Sequence, residues 1–196
     1  MLAAIAIRRW RARNGAIQQL VNALDLDLAA RYPDEPCTGG THINPKIRFL
    51  LAEAEGRPVG CCAVQPFPHP DSAVELKRMY VTPDARGHGF ATRLLAEAER
   101  IAIALGHTEI RLETAVHQPE AIALYTRAGY QPIPNYPPYH HKTLSRCYAK
   151  PFALLPARPE DAAELSAFVA SQGLSPQDVL TPIPGTGSPG TLQDRP

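Results

Sequence analysis

The chain has 196 residues, of which 44% are hydrophobic and 20% are charged, and its formal net charge is +1. This composition is typical of a globular domain, and the near-neutral charge gives no general electrostatic reason to expect nucleic acid or a membrane surface as a partner. The apolar start of the chain precedes its first arginines and is too short to cross a bilayer, so we expect neither a signal peptide nor a membrane span.

The hydrophobic pattern predicts a mixed sheet with helices on its faces, which is an α/β architecture. In chain order, the predicted elements are a strand at 5–10, a helix at 14–33, strands at 47–55, 59–65 and 74–81, a helix at 89–105, a strand at 109–115, a helix at 119–128 and a last strand at 142–150. Strict alternation along the strand at 74–81 would place Glu75, Lys77, Met79 and Val81 on one face.

Composition also predicts the domain organisation. We expect one domain over residues 1–155, followed by a short accessory helix at 156–174 that begins with acidic residues. The last segment, 175–196, is rich in proline, glycine, serine and threonine, and we expect it to be disordered.

Cysteine and histidine usage favours a metal-free cytoplasmic protein. None of the four cysteines forms a CxxC pair, which is typical of reduced structural thiols. Cys61 and Cys62 are adjacent in a predicted strand, so their side chains should point to opposite faces. His140 and His141 are adjacent and have no further ligand at a suitable spacing, so we expect no metal site.

A glycine turn between the strand at 74–81 and the helix at 89–105 is the most informative feature of the sequence. The turn reads Arg86-Gly-His-Gly89-Phe-Ala91-Thr92. It directs several backbone N–H groups and the positive end of a helix dipole at one point, which predicts a phosphate-binding site. The glycine spacing is not that of the dinucleotide-binding fingerprint, and no Gly-Lys-Ser/Thr follows as in a P-loop.

The turn matches the motif (Gln/Arg)-x-x-Gly-x-(Gly/Ala), and its neighbours extend the match. The run Glu75-Leu-Lys-Arg-Met-Tyr-Val81 looks like the fourth strand of a known family, Leu112-Glu-Thr114 like its fifth, and Gln118-Pro-Glu-Ala-Ile-Ala-Leu-Tyr125 like its last core helix. In these residues the chain resembles the GNAT superfamily of acyl-CoA N-acyltransferases. The resemblance implies that family's fold, a mixed and mostly antiparallel central sheet flanked by helices, over residues 5–150.

The same resemblance implies acetyl-CoA as the co-substrate. The pyrophosphate would lie on the turn, and the pantetheine arm would pair with the backbone of the fourth strand. Gln118 stands where the family commonly has Asn, so it keeps the amide but adds a methylene. The implied acetyl-CoA contacts are Met79, Tyr80, Val81, Arg86, Gly87, His88, Gly89, Phe90, Ala91, Thr92 and Gln118.

Two residues match positions that serve as catalytic groups in the family. Tyr125 would donate its phenol proton to the departing thiolate, although an ordinary half-buried tyrosine is the alternative interpretation. Glu75 would be the general base, with an ion pair to Lys77 or Arg78 as the alternative. A chain of water molecules, or the free-base form of the amine, could also replace a dedicated base.

The family places the acceptor beside its fourth and fifth strands and the loop before the last strand. Carboxylates and tyrosines in these segments suit a cationic amine, although each could instead be solvated or packed on the sheet. The candidate acceptor-binding residues are Tyr32, Glu35, Glu113, Tyr136 and Tyr139.

These residues predict an acyltransferase that moves an acetyl group to a primary amine, of a small molecule, by direct attack in a ternary complex. A non-catalytic acyl-CoA-binding sensor and a protein or peptide acetyltransferase are the alternatives. We expect no nucleic-acid or membrane partner, and a monomer or homodimer in the cytoplasm.

Overall fold

The computed structural model describes residues 5–10, 14–34, 47–67 and 73–152. The predicted accessory helix and tail lie outside these ranges, as does Glu35. The helices are α1 (Gly15–Arg31), α2 (Phe90–Ala104) and α3 (Pro119–Arg127). The strands are β1 (Ile5–Trp10), β2 (Arg48–Ala54), β3 (Arg57–Pro66), β4 (Ala73–Val81), β5 (Glu109–Ala115), β6 (Gln131–Ile133) and β7 (Ser145–Pro151).

The seven strands form one sheet in the order β1-β2-β3-β4-β5-β7-β6. Every neighbouring pair is antiparallel except β4 and β5, which are parallel. This confirms the mixed, mostly antiparallel sheet. Strand β6 has only three residues, which is too short for hydrophobic periodicity to predict. The resemblance did imply it, because the run from Gln118 to Tyr130 looks like the family's last core helix and the strand that follows.

The sheet has a hydrophobic core on each face. Helices α2 and α3 cover one face, where Leu94, Ala98 and Tyr125 pack with the strands. Helix α1 covers the other, where it buries Ile17, Leu20 and Leu24. The adjacent cysteines confirm the predicted alternation: Cys62 belongs to the first core and Cys61 to the second.

Helix α1 begins where the sequence predicts. The Oδ1 atom of Asn14 accepts hydrogen bonds from the backbone N–H groups of Ala16 at 2.9 Å and Ile17 at 3.3 Å, which satisfies two of the orphan donors of the first turn. The helix ends at Arg31, two residues before Pro33.

A β-bulge interrupts β4 and overturns the predicted alternation. Arg78 has a φ of +57°, and the register with β3 shifts there, because Cys61 faces Tyr80 whereas Ala63 faces Lys77. The extra residue moves Met79 and Val81 onto the α2 face, with Leu76. Glu75 and Lys77 therefore lie on the opposite face from Met79 and Val81, not on the same one.

Two side chains hold the bulge in place. The Arg78 guanidinium donates to Asp25 of α1 at 2.9 Å, and the Cys61 thiol lies 3.5 Å from the Arg78 carbonyl oxygen. The left-handed backbone conformation at a non-glycine residue costs roughly 1–2 kcal/mol, so contacts of this kind are needed to maintain it.

Strands β4 and β5 separate immediately before the bulge. Their pairing runs from Ala73–Glu109 to Leu76–Leu112 and ends there. Beyond that pair, β4 continues along β3 to Val81 and β5 continues along β7 to Ala115. We call this separation the β4–β5 split. It leaves the β5-facing edge of the end of β4 without a partner strand in the described part of the chain.

Candidate active site

The turn before α2 presents a set of unpaired backbone donors. Gly89 is the N-cap of α2 with a φ of +81°, and no side chain caps the helix. The first turn of hydrogen bonds starts with the Arg93 N–H, which donates to the Gly89 carbonyl at 3.1 Å. Among the described residues, no acceptor engages the backbone N–H groups of residues 87–92.

The two glycines of the turn border open space. Gly87 also has a positive φ, of +80°, and a Cβ atom built on Gly87 or Gly89 would meet no atom within 4 Å. Free N–H groups at a helix N-terminus are the features that bind phosphate groups in proteins. The backbone therefore fits the pyrophosphate of coenzyme A.

The side chains of the turn have different surroundings. The Arg86 Nε donates to the Val81 carbonyl at 3.0 Å, and its guanidinium lies 3.7 Å from the Asp27 carboxylate of α1 and 5.7 Å from the ring centre of Tyr80. Arg86 thus fastens the turn to the end of β4. The His88 ring is exposed and contacts the Arg86 carbonyl, Phe90 is buried in the α2 core, and Ala91 and Thr92 lie on the first turn of α2.

Gln118 connects β5 to α3. Its Oε1 accepts a hydrogen bond from the Thr114 hydroxyl at 2.8 Å and from the Ala115 N–H at 3.1 Å. No acceptor among the described residues engages its amide nitrogen, which leaves those two N–H donors available.

Tyr125 lies on α3 in the core and is 5% exposed. Its ring centre is 5.8 Å from that of Tyr130. Burial, reinforced by nearby Cys62 and Glu113, raises the pKa of the Tyr125 phenol well above its usual range. The phenol therefore keeps its proton at neutral pH and can act as a donor.

Glu75 is also buried, at 4% exposure, but its carboxylate is surrounded by donors. Its Oε1 accepts from the Lys77 ammonium at 3.2 Å, the Tyr136 hydroxyl at 3.2 Å and the Tyr139 hydroxyl at 3.3 Å. Its Oε2 accepts from the Gln65 amide at 2.9 Å. The ion pair with Lys77, one of the two interpretations of the sequence, is thus present, and three predicted site residues lie together.

The loop between β6 and β7, residues 134–144, carries Tyr136 and Tyr139 and is called the tyrosine loop below; Asn135 holds it in place. The Asn135 amide nitrogen donates to the carbonyl oxygens of Lys142 at 3.2 Å and Ser145 at 3.1 Å, and its Oδ1 accepts from the Cys147 N–H at 3.2 Å. Only a turn-forming asparagine after a proline was visible in the sequence, because these partners are seven to twelve residues away.

Glu113 follows Leu112, the last residue of β5 that pairs with β4, and so lies at the opening of the β4–β5 split. Its Oε1 accepts a short hydrogen bond from the Ser145 hydroxyl. Burial raises the pKa of the Glu113 carboxyl, against the opposing influence of Ser145, Lys77 and Lys142.

Tyr32 makes a structural contact that the sequence did not reveal. Its hydroxyl accepts from the His117 N–H at 3.0 Å, and the two rings lie 5.2 Å apart. Arg31 donates to the His117 carbonyl at 3.1 Å and forms an ion pair with Glu120. These contacts fasten the end of α1 to the turn between β5 and α3.

The described ranges hold neither a group of metal-ligating side chains nor a membrane-spanning helix. Within residues 5–10, 14–34, 47–67 and 73–152, no three His, Cys, Asp or Glu side chains are grouped to hold a metal ion. The rings of His140 and His141 lie 3.7 Å apart at an exposed turn. None of the helices in the same ranges has both the length and the apolarity needed to cross a bilayer.

Comparison with known proteins agrees with this geometry. The family model described as "Acetyltransferase (GNAT) family" matches residues 17–130, which is more than half of the chain. The protein belongs to the GNAT family of acetyltransferases and is an acyltransferase enzyme of a family that uses acetyl-CoA.

Two curated relatives illustrate the match. The chain is 37% identical over 150 residues to an IAA acetyltransferase of Azospirillum brasilense, an alignment that covers 75% of this chain and 97% of that protein. It is 36% identical over 90 residues to the uncharacterized N-acetyltransferase YjgM of Escherichia coli, which covers 45% of this chain and 54% of that protein.

Solved structures show the same fold. A Klebsiella pneumoniae structure described as an acyl-CoA N-acyltransferase has a TM-score of 0.63 and 30% identity, covering 76% of this chain and 98% of that one. The PaiA N-acetyltransferase of Thermoplasma acidophilum, in complex with coenzyme A, has a TM-score of 0.59 and 18% identity, covering 76% and 99%. At 18% identity the second likeness concerns the fold alone.

Proposed function

We propose that the protein is an acetyl-CoA-dependent N-acetyltransferase that moves the acetyl group to a primary amine of a small molecule by direct attack in a ternary complex. The observation that carries the proposal is that one molecule combines the unpaired N–H donors of residues 87–92 with a buried, protonated phenol at Tyr125. A phosphate-binding turn holds a CoA ester, and a positioned proton donor helps its thiol to leave.

The chain offers a contact for each part of acetyl-CoA. The N–H groups of residues 87–92 would hold the pyrophosphate, and Arg86 would shape the turn that presents them. The unpaired edge of β4 at Met79, Tyr80 and Val81 would pair with the pantetheine amides, with the Gln118 amide N–H groups beyond. When bound, acetyl-CoA supplies the activated acetyl thioester.

Proton transfer would involve one tyrosine and one carboxylate. Tyr125 would donate to the leaving sulfur. Two carboxylates, Glu75 and Glu113, lie on the sheet face that carries the tyrosine loop and could accept the proton of the amine. The hydroxyls of Tyr136 and Tyr139 donate to Glu75 and keep the tyrosine loop on this face of the sheet, beside which we place a small-molecule acceptor rather than a peptide.

The relatives support acetyl transfer as the reaction. The IAA acetyltransferase of Azospirillum brasilense aligns over nearly its whole length, and the match to the acetyltransferase family model supports acetyl-CoA as the co-substrate. A non-catalytic acyl-CoA sensor is the second candidate, but it would have no need of a buried phenol placed to protonate a thiolate. We further propose a cytoplasmic location, because the three cysteines in the described ranges are free and buried, and we propose a monomer or homodimer.

An acceptor screen tests the proposal. Purified protein is incubated with acetyl-CoA and a panel of primary amines that includes alkyl amines, polyamines, amino acids and a lysine peptide, and release of free thiol is measured. We expect turnover with one or more small amines, and mass spectrometry should show a gain of one acetyl group on the amine. Tight CoA binding without turnover of any amine would favour the sensor instead.

A further inference from the structure

The two carboxylates beside the β4–β5 split differ in how their oxygens are used. An ionised carboxylate offers about four acceptor positions. Glu75 has donors on both oxygens, Lys77, Tyr136 and Tyr139 on Oε1 and Gln65 on Oε2, and is only 4% exposed. Burial under these donors restricts the approach of an ammonium group to Glu75. Glu75 is therefore placed to hold the tyrosine loop rather than to receive a substrate.

Glu113 has the opposite arrangement. Its Oε1 accepts from the Ser145 hydroxyl, and within the described ranges no donor engages its Oε2. It is the first residue of β5 beyond the last pair with β4, so it lies where the two strands begin to part. One oxygen is thus held by Ser145, while the other has no donor among the described residues.

The charge of Glu113 influences the proposed acid, Tyr125, by raising its pKa. Charged groups on β4 and the tyrosine loop shift the pKa of Glu113: Glu75, Lys77 and Lys142. The charge of Glu113 in turn raises the pKa of groups on α3, the tyrosine loop and β7: Tyr125, Tyr139 and Cys147. Of the two carboxylates, only Glu113 is among the groups that raise the pKa of Tyr125. Burial raises the pKa of Glu113 itself toward the range that suits a base near neutral pH.

We propose that Glu113, and not Glu75, binds the ammonium group of the acceptor through its Oε2 and takes its proton, while Glu75 acts as a positioning residue for Tyr136 and Tyr139. This inference rests on the proposed function.

The reaction then balances with one proton released. Glu113 takes a proton from the ammonium group, and the resulting neutral amine forms a C–N bond to the acetyl carbon as the C–S bond breaks. Tyr125 gives its phenol proton to the departing sulfur and regains one from the newly acetylated nitrogen. Glu113 then returns its proton to solvent.

Matched variants of the full chain test the assignment. With the best amine of the screen, Glu113→Gln should lower kcat/KM about a hundredfold or more. It should also remove the fall in kcat/KM at acidic pH that protonation of the base causes, which is the acidic limb of the profile. Glu113→Asp keeps the charge and should retain that limb at reduced kcat. Glu75→Gln should raise KM through the loop without moving the limb, and acetyl-CoA affinity should stay within about twofold in all three.

A binding measurement separates this inference from the proposed function. Thermal stabilisation by n-butylammonium, at constant ionic strength and with CoA present, should occur in the wild type and in Glu75→Gln but not in Glu113→Gln. Stabilisation without turnover of any amine would remove the enzymatic proposal alone. The opposite result would overturn the inference and make Glu75 the base. In that case stabilisation by n-butylammonium and the acidic limb of the kcat/KM profile would persist in Glu113→Gln and be lost in Glu75→Gln.

Discussion

Tyr125 is a core phenol that carries its proton throughout the neutral range. It is 5% exposed, and burial, with Cys62 and Glu113 nearby, raises its pKa further above neutral. Tyr130 lies 5.8 Å away and is fully buried too, but it belongs to the segment after α3. The pair thus offers a candidate acid and a matched control in the same core.

Tyr125→Phe should lower kcat by about ten- to a thousandfold, because a positioned acid is lost, and should change acetyl-CoA binding little. Steady-state kinetics and calorimetric titration with CoA would measure the two effects. Tyr130→Phe makes the same chemical change and should leave kcat within about threefold of the wild type. Equal losses in both variants would indicate a packing effect, and an unchanged kcat in Tyr125→Phe would assign the acid to another group.

The titration of Glu113 should also make the stability of the folded chain depend on pH. Its folded-state pKa is raised, so the ionised carboxylate is less favourable in the folded chain than in the unfolded one. Its contribution to stability is full below the unfolded pKa, near 4.3, and is lost as pH rises through the folded pKa. Glu113→Gln stays neutral and keeps an acceptor for Ser145.

We therefore expect Glu113→Gln to melt at a higher temperature than the wild type at pH 8, with the difference shrinking toward pH 4. Thermal unfolding followed by circular dichroism across this range would measure it. A variant that is less stable than the wild type at every pH would show that the Ser145 contact, and not the buried charge, dominates at this position.

At the scale of elements, the glycines at the two ends of α2 have the same backbone conformation, but only the first lies beside unpaired backbone N–H groups. Gly89 at the start and Gly106 after the end have φ values of +81° and +80°, and a Cβ atom would meet nothing within 4 Å at either. Alanine at each position should cost a similar roughly 1–2 kcal/mol, because the left-handed conformation disfavours a side chain.

Only Gly89→Ala should affect the binding of acetyl-CoA. A methyl group beside the free N–H groups of residues 87–92 should weaken acetyl-CoA binding by about tenfold or more, since the backbone must approach the phosphates closely. Gly106→Ala should leave CoA affinity unchanged while showing a comparable drop in melting temperature. Calorimetry with CoA decides between them, and equal CoA affinities in the two variants would place the phosphates elsewhere.

The elements also show where sequence reasoning succeeds. The start of α1 at residue 14 and the glycine turn before α2 are local patterns, and each was predicted from neighbours within a few residues. The bulge at Arg78 was not, because it depends on pairing with β3 and on the loss of pairing with β5. A non-glycine residue with positive φ has no local sequence signature here.

The same limit applies to the site across the whole molecule. The resemblance identified Glu75, Glu113 and the tyrosine loop as candidates, yet it could not show that Gln65, Lys77 and two tyrosines occupy the Glu75 carboxylate. Those donors come from β3, β4 and a loop more than sixty residues away. Which carboxylate remains available is a property of the assembled fold.

The buried thiols give a prediction about the fold as a whole. Cys61, Cys62 and Cys147 are buried, and burial raises the pKa of all three, that of Cys61 to about 12. In a Cys37→Ser background they should react with a thiol reagent at least about a thousandfold more slowly in native buffer than in denaturant, since reaction requires the chain to open. Rapid native labelling of two or more thiols, measured by absorbance, would show that the cores open locally.

The β4–β5 split divides the chain as well as the sheet. Everything proposed to hold the phosphates lies before Gly106, and both groups proposed to move protons, Glu113 and Tyr125, lie after it. The two portions meet along the short β4–β5 pairing and the shared core beneath it. A chain cut at Gly106 could therefore reassemble from separately expressed fragments, with neither fragment active alone. It also follows that acceptor preference could diverge in the second portion while the first continues to hold the phosphates of the same co-substrate.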